Sequence, residues 1–319
     1  MEIGSFIEFQ FAKGKEFYNS TQNIARLNSG RAAIWHAFRL TACNAIWVPY
    51  YQCDTVRDFL KQKNVNIKYY HIDQNFNPID LKQEEDEAVL LVNYYGIFPL
   101  KRMETLANQY RNVIIDNSQA FFAKPLTNCL NVYSARKFVG VPDGAYVIGK
   151  EADRYVEEYQ QGYSSDTSLF LLQRVEYGCE GKTYASRMIN EKRIDSEDIM
   201  KMSALTKQIL MGTDYNFIME KRKENFQIAI ELFEDINLFD VNKFYDQDCV
   251  PMVYPLVVED DELLDRMLNQ KHFQGHWWSY LVDEMRKEDF EYWISKYIIP
   301  ITIDQRYGRT ELEYIRGIV

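Results

Sequence analysis

Short apolar runs alternate with amphipathic stretches over roughly the first 240 residues. Gly30 to Leu40 (GRAAIWHAFRL) reads as the start of a helix, Ala45 to Pro49 (AIWVP) as a short buried strand, and Thr55 to Lys63 as a second helix. Ile67 to Ile72, Ala88 to Tyr94 (AVLLVNY) and Val113 to Asp116 (VIID) follow as strands, with a helix over Met103 to Tyr110. Leu130 to Ser134 and Ala145 to Ile148 complete the series. Short strands separated by helices require crossover connections, which implies a largely parallel sheet. Ligands bind such sheets at the carboxyl ends of the strands, so Tyr50, Tyr51, Asn93, Asp116, Gln119 and Ser134 become the positions of interest.

Residues 151–236 read as mostly helical and close on a charged helix around Ile218 to Phe233. After Leu238 the pattern is strand (PMVYPLVV), helix (DDELLDRMLNQK) and strand (YIIPITI). A large unit over 1–225 and a smaller α+β unit over 226–319 are expected, with the boundary on the long helix.

Composition narrows the functional classes. A formal charge of 37 − 47 = −10 repels phosphate backbones and argues against nucleic-acid partners. No run of about 18 apolar residues marks a membrane span. The start, MEIGSFIEFQFAKGKEF, carries Glu2 and Glu8 and does not read as a signal peptide. Five Cys with no C-x-x-C pair argue against a disulfide framework and for a reducing cytoplasmic setting. His272 and His276, four apart, could share a helix face, but no acidic partner lies close in sequence, so an ordinary polar pair is expected there and no metal site.

The segment VIIDNSQAFFAKPLTNCLNVYSARKFVGVPDGAYVIG concentrates the candidate chemistry. Asp116 ends a buried strand and Gln119 sits three residues on. Ser134 ends another strand, and Lys137 follows three residues later, before a turn of Gly140, Pro142 and Gly144. Pyridoxal 5′-phosphate needs such parts. A lysine forms an imine with it, and a carboxylate beside the pyridine nitrogen keeps that nitrogen protonated. Its phosphate needs amides at a helix start together with hydroxyls. Asp116, Lys137, Ser134 and the segment Asn28–Ser29–Gly30–Arg31 could supply them all. Lysine suits the nucleophile role because its pKa falls when it is buried near other cations, and Arg136 is adjacent.

The order NSGRAAI, WVPYYQC, HIDQNF, LLVNYYG, IIDNSQA, YSARK, PDGAYVIG and IPITIDQRYG resembles the DegT/StrS-type aminotransferases over most of the chain, as a divergent branch. The resemblance implies a fold-type-I α/β domain with a mainly parallel seven-stranded sheet and a smaller C-terminal α+β domain. It implies a homodimer that takes an amino group from a glutamate-like donor to a keto acceptor, in sugar biosynthesis where that acceptor is a nucleotide-linked keto sugar. By position, Lys137 resembles the imine-forming lysine, Asp116 the carboxylate under the pyridine nitrogen, and Gln119 the partner of the ring's phenolic oxygen. Ser134, Gly30 and the amide of Arg31 resemble the phosphate contacts.

Departures from the pattern keep other readings open. Arg31 replaces a small hydroxyl residue, and its guanidinium could compensate. Cys53 stands where an aromatic usually stacks on the ring, so Tyr50 or Tyr51 is expected to stack instead. Arg306 and Trp278 are candidate substrate contacts; a salt-bridged surface arginine and simple packing are their alternatives. Likewise Asp116 alone could cap a helix, Gly30 merely start one, and Ser134 serve a turn. A dehydratase using the same cofactor, or a non-catalytic regulator that keeps the fold, are the rival functions. Gly144 to Lys150 matches G-x-x-x-x-G-K, but its middle is a β run and Glu151 follows, so it is no phosphate loop.

Overall fold

A computed structural model describes residues 3–319; Met1 and Glu2, which open the N-terminal stretch discussed above, lie outside them. The strands are β1 (Ile24–Leu27), β2 (Ala45–Pro49), β3 (Asn66–Ile72), β4 (Pro78–Ile79), β5 (Glu87–Val92), β6 (Val113–Asn117), β7 (Leu130–Ser134), β8 (Ala145–Ile148), β9 (Gln160–Gln161), β10 (Met200–Lys201), β11 (Val253–Val257) and β12 (Ile298–Thr302). The helices that matter below are α1 (Gly30–Thr41), α2 (Asp54–Gln62), α3 (Leu100–Ala107), α4 (Leu169–Tyr177), α5 (Lys182–Ser196), α6 (Ala204–Met211) and α7 (Tyr215–Phe233).

Ten strands form one sheet in the order β4-β3-β2-β5-β6-β7-β8-β1-β10-β9. Seven of them, β3 to β1 along that order, make the expected body, with β3, β2, β5, β6 and β7 mutually parallel and β8 antiparallel beside β7. The other three are two-residue strands at the edges, too short to show any periodicity in the sequence. Every residue of β5 and β6 is buried, which is why they read as continuous apolar runs: helices cover both faces.

α1 lies against β6, β7 and β8. Its inner face carries Ala32, Ala33 and Ala37, all fully buried, and small residues let the helix axis approach the sheet closely. Ser29 caps it, its Oγ accepting the Ala32 N–H at 3.4 Å. The helix therefore begins at the carboxyl ends of the parallel strands, with its N-terminus aimed over them.

The sheet's other face shares one apolar core with the C-terminal residues. Leu91, Ile115 and Tyr94 pack in the same cluster as Phe226 and Phe233 of α7, Leu256 of β11 and Ile299 of β12. β11 and β12 pair antiparallel. α7 runs unbroken across residue 225. His272 and His276 sit in an irregular segment after the helix Leu263–Asn269 and do not share a helix face; His276 Nδ1 bonds the Ile298 carbonyl at 2.8 Å instead. Among the described residues, no helix is long and apolar enough to cross a membrane.

Candidate functional site

A recess forms where α1 meets the ends of β6 and β7. Gly30 opens the helix, and a Cβ built there would stand 3.3 Å from Ser118 Oγ and 3.8 Å from Ser134 Cβ. The absence of a side chain at Gly30 thus lets the helix start lie close against two hydroxyl-bearing residues, 8% and 6% exposed. The first amides of a helix have no acceptor within it, so Gly30 and Arg31 point N–H groups into the same region, where the helix dipole favours negative charge. Backbone bonds hold the recess together: Gly144 N–H donates to the Asn28 carbonyl at 2.9 Å and Ala135 N–H to the Gly144 carbonyl at 3.1 Å.

Asp116 stands on the same side of the sheet, because alternation along β6 turns it with Ile114 toward α1. It is 4% exposed, and both its oxygens accept N–H groups. Oδ1 takes the Ser118 amide at 2.9 Å and Oδ2 takes Gln52 Nε2 at 2.9 Å. Gln119 is buried as well. Its Oε1 accepts the Tyr95 N–H at 2.7 Å, which assigns Nε2 as the end free to donate.

Lys137 ends a single 3-10 turn after β7, and its side chain is exposed. The turn itself is firmly held. Phe138 is buried against Phe121, the Arg222 guanidinium lies 4.5 Å over its ring, and Arg222 Nη2 reaches the Lys137 carbonyl at 3.4 Å. Gln305, just past β12, donates to the Phe138 carbonyl at 3.1 Å. Arg222 is 2% exposed, and burial pushes it down to about 10. It is held mainly by the carbonyls of Pro251 and Met252, at 3.3 and 2.8 Å.

Other expected residues go elsewhere. The Arg31 guanidinium turns to Asp195 (2.9 Å) and the Ile194 carbonyl on α5, which leaves only its amide at the helix start. Tyr51 is fully buried, its hydroxyl on Tyr95 at 2.8 Å and its ring edge-on to Trp278 at 4.3 Å. In this packing Tyr51 presents no exposed surface. Trp278, on the other side of that contact, is half-buried. Arg306 closes bidentately on Asp304, at 2.8 and 2.7 Å, and stays half exposed at the surface.

Ser118, Gln52, Arg222 and Gln305 were not singled out from the sequence. Ser118 could have been considered, since it lies two residues after Asp116 at the carboxyl end of β6, where its amide reaches the Asp116 carboxylate. The other three are defined by partners distant in the chain. A cavity of about 230 Å³, lined by Phe98, Phe122, Lys124 and Asp248 among others, lies apart from the recess and includes none of its residues. Among the described residues, no group of three His, Cys, Asp or Glu is placed to hold a metal ion.

No protein-family model matches this sequence, and no curated protein does. Solved structures do match. The sugar aminotransferase CalS13 from Micromonospora echinospora is 15% identical, with a TM-score of 0.58 over 93% of this chain and 86% of that one. NtdA from Bacillus subtilis, solved with bound cofactor PMP, is 14% identical, with a TM-score of 0.60 over 92% and 73%. The GDP-4-keto-6-deoxy-D-mannose-3-dehydratase of E. coli, solved with hydrated PLP, is 12% identical, with a TM-score of 0.57 over 92% and 87%. At such identities the likeness is one of architecture, and the chain has the fold-type-I α/β fold of the DegT/StrS-type aminotransferases.

Proposed function

We propose that the chain binds pyridoxal 5′-phosphate and works as an aminotransferase, taking an amino group from a glutamate-like amino acid to a keto acceptor of the nucleotide-linked sugar class. The observation that carries this reading is the side-chain-free helix start at Gly30, flanked by Ser118 and Ser134, with Asp116 on the same side of the sheet and Lys137 three residues past Ser134. Two of the matched structures, NtdA and the E. coli dehydratase, hold PMP and PLP, which supports the same cofactor here.

In this reading the amides of Gly30 and Arg31 and the hydroxyls of Ser118 and Ser134 take the phosphate. Asp116 places its charge by the ring nitrogen and favours the protonated form there. Gln119 presents Nε2 to the phenolic oxygen. Lys137 carries the cofactor, which when bound supplies an electron sink for bonds at the carbon bearing the amino group. Once displaced, the Lys137 amine moves the proton at the donor's Cα. Arg222 and Gln305 keep the turn that bears Lys137 fixed in this work.

A homodimer fits the exposed apolar surface: α4 buries none of its nine residues, and it adjoins the lysine turn, Leu171 Cδ2 lying 3.8 Å from where a Gly140 Cβ would stand. Five free cysteines support a reducing, cytoplasmic setting. Sugar dehydration is the second reading, favoured by the dehydratases among the matched structures. The presence of Lys137 weighs against the dehydratase variety that replaces lysine by histidine, and so favours transamination.

The test is borohydride reduction of the protein supplied with pyridoxal 5′-phosphate, followed by peptide mapping. A pyridoxyl group on the Lys137 peptide is expected; a blank peptide overturns the cofactor reading. Glutamate should then convert bound cofactor to the pyridoxamine form. Failure of every amino donor to do so, with the lysine labelled, removes transamination and leaves dehydration.

A further inference from the structure

Asp116 is not alone beneath the recess. Gln52 donates Nε2 to its Oδ2 at 2.9 Å, and both side chains are 4% exposed. The amide cannot be turned around. Its Oε1 accepts the Cys53 N–H at 2.8 Å, so a flipped amide would set two acceptors face to face at Asp116 and two donors at Cys53. The Gln52 backbone is pinned in turn from the C-terminal part of the chain, where the Tyr280 hydroxyl donates to the Gln52 carbonyl at 2.5 Å. Tyr280 is itself held, with the Arg57 guanidinium 4.7 Å over its ring and Arg57 bridged to Glu284 at 2.7 and 3.1 Å.

We propose that Gln52 is a positioning residue for Asp116, and that Tyr280 makes the C-terminal segment part of the cofactor site by fixing Gln52. The inference rests on the pyridoxal-phosphate reading and deepens it. With one N–H on each oxygen, the Asp116 carboxylate cannot rotate, and one lone pair of Oδ2 stays directed by the amide. A carboxylate held in place loses no orientational freedom when a ring nitrogen arrives. Burial raises the Tyr280 phenol, so it remains a donor throughout the neutral range. Cys53, which stands where a stacking aromatic was expected, here supplies the N–H that fixes the amide.

The experiment titrates apo-protein with pyridoxal 5′-phosphate, following visible absorption, for wild type, Gln52→Met and Gln52→Glu at pH 8 and pH 5.5. Unfolding of the apo forms is measured alongside, in a double-mutant cycle of Gln52→Met with Asp116→Asn. The Gln52→Met variant keeps the length of the side chain but has no donor, and should bind about tenfold more weakly at both pH values. In Gln52→Glu a protonated carboxyl can replace the amide donor, so its affinity, taken relative to wild type at the same pH, should recover on acidification. A residue that merely fills space would show no such recovery. The cycle should show a coupling of about tenfold in the folding constant. Additive effects in the cycle, together with wild-type affinity in both variants, would overturn the proposal. Coupling without cofactor binding even in wild type would keep the positioning role and remove the functional reading.

Discussion

The carbonyl oxygen of Gln119 accepts the Tyr95 N–H at 2.7 Å, and Tyr95 offers it from a left-handed turn at φ +59°. A non-glycine residue in that conformation costs on the order of 1 kcal/mol. Here it is held by a fully buried ring whose hydroxyl meets Tyr51 at 2.8 Å. The turn orients the Gln119 amide, and its Tyr95 carbonyl also accepts the Met252 N–H at 2.8 Å.

That relationship separates binding from stability at one position. The Gln119→Glu variant keeps an acceptor for Tyr95 and loses the donor, so its melting temperature should stay within a few degrees of wild type while pyridoxal-phosphate affinity falls about tenfold. The Gln119→Leu variant leaves the buried Tyr95 N–H unpaired and should in addition lose about 1–3 kcal/mol of stability. Equal affinity in Gln119→Glu and wild type, by spectroscopic titration, would remove Gln119 from the cofactor site.

Gly30 allows a sharper separation. Its φ is an ordinary one, so alanine suits the helix backbone, and the gain in helix propensity offsets the small shift that the methyl demands of Ser118, leaving stability within about 1 kcal/mol of wild type. The added methyl, however, would sit 3.3 Å from Ser118 Oγ, between the two hydroxyl-bearing residues and the amides proposed to take the phosphate. The Gly30→Ala variant should therefore bind pyridoxal 5′-phosphate at least tenfold more weakly while its affinity for phosphate-free pyridoxal is unchanged. Parallel titrations with the two ligands check this, and an equal loss for both would place the phosphate elsewhere.

How much of this was legible depended on distance along the chain. Asp116, Gln119, Ser134 and Lys137 could be found because each follows a strand whose apolar run ends sharply, so the sequence itself marks the sheet's carboxyl edge. Gly30 could be found because a helix start has a local signature. The Gln52–Asp116 bond joins residues 64 apart, and no local pattern announces it. Asp195, 164 residues away, takes the Arg31 guanidinium, and no local pattern marks that pair either. The full burial of Tyr51 is hidden from the sequence for a related reason. Which way a side chain points just past a strand depends on the turn, and this turn buries Tyr51 among Tyr94, Tyr95 and Trp278.

The stability of the protein should depend on pH near neutrality through His36. That ring is fully buried, with Nδ1 on the Tyr159 hydroxyl at 2.7 Å and Nε2 on the Ala152 carbonyl at 2.8 Å. Burial, with some help from Arg39, lowers its pKa below the usual 6.5. The folded state thus resists a proton that the unfolded chain accepts. The contribution is fully present above about pH 6.5 and is lost as pH falls from there toward the folded value, at up to about 1.4 kcal/mol per pH unit. His272, lowered by burial too, adds in the same direction. Denaturant unfolding of wild type and His36→Gln at pH 7.5 and 5.5 should show a smaller loss in the variant, and identical losses would mean that His36 is not the group responsible.

The last prediction concerns α4. A helix of sequence LFLLQRVEY would ordinarily bury its apolar residues, yet Leu169, Leu172 and Val175 are 54%, 62% and 87% exposed. The neighbouring α5 adds exposed Tyr184, Met188 and Ile189, so the patch is contiguous in kind if not in sequence. Covering these side chains is worth about 25 cal/mol per Å² of apolar area, which makes a second copy of the chain a sufficient partner only if both copies bring the patch. Light scattering after size exclusion should therefore give a dimer for wild type and a monomer for the double variant Leu172→Glu/Val175→Glu. Because α4 adjoins the turn that carries Lys137, the monomer should also bind pyridoxal 5′-phosphate more weakly while its circular dichroism stays native. A dimer that survives both glutamates would show that subunits meet on another face.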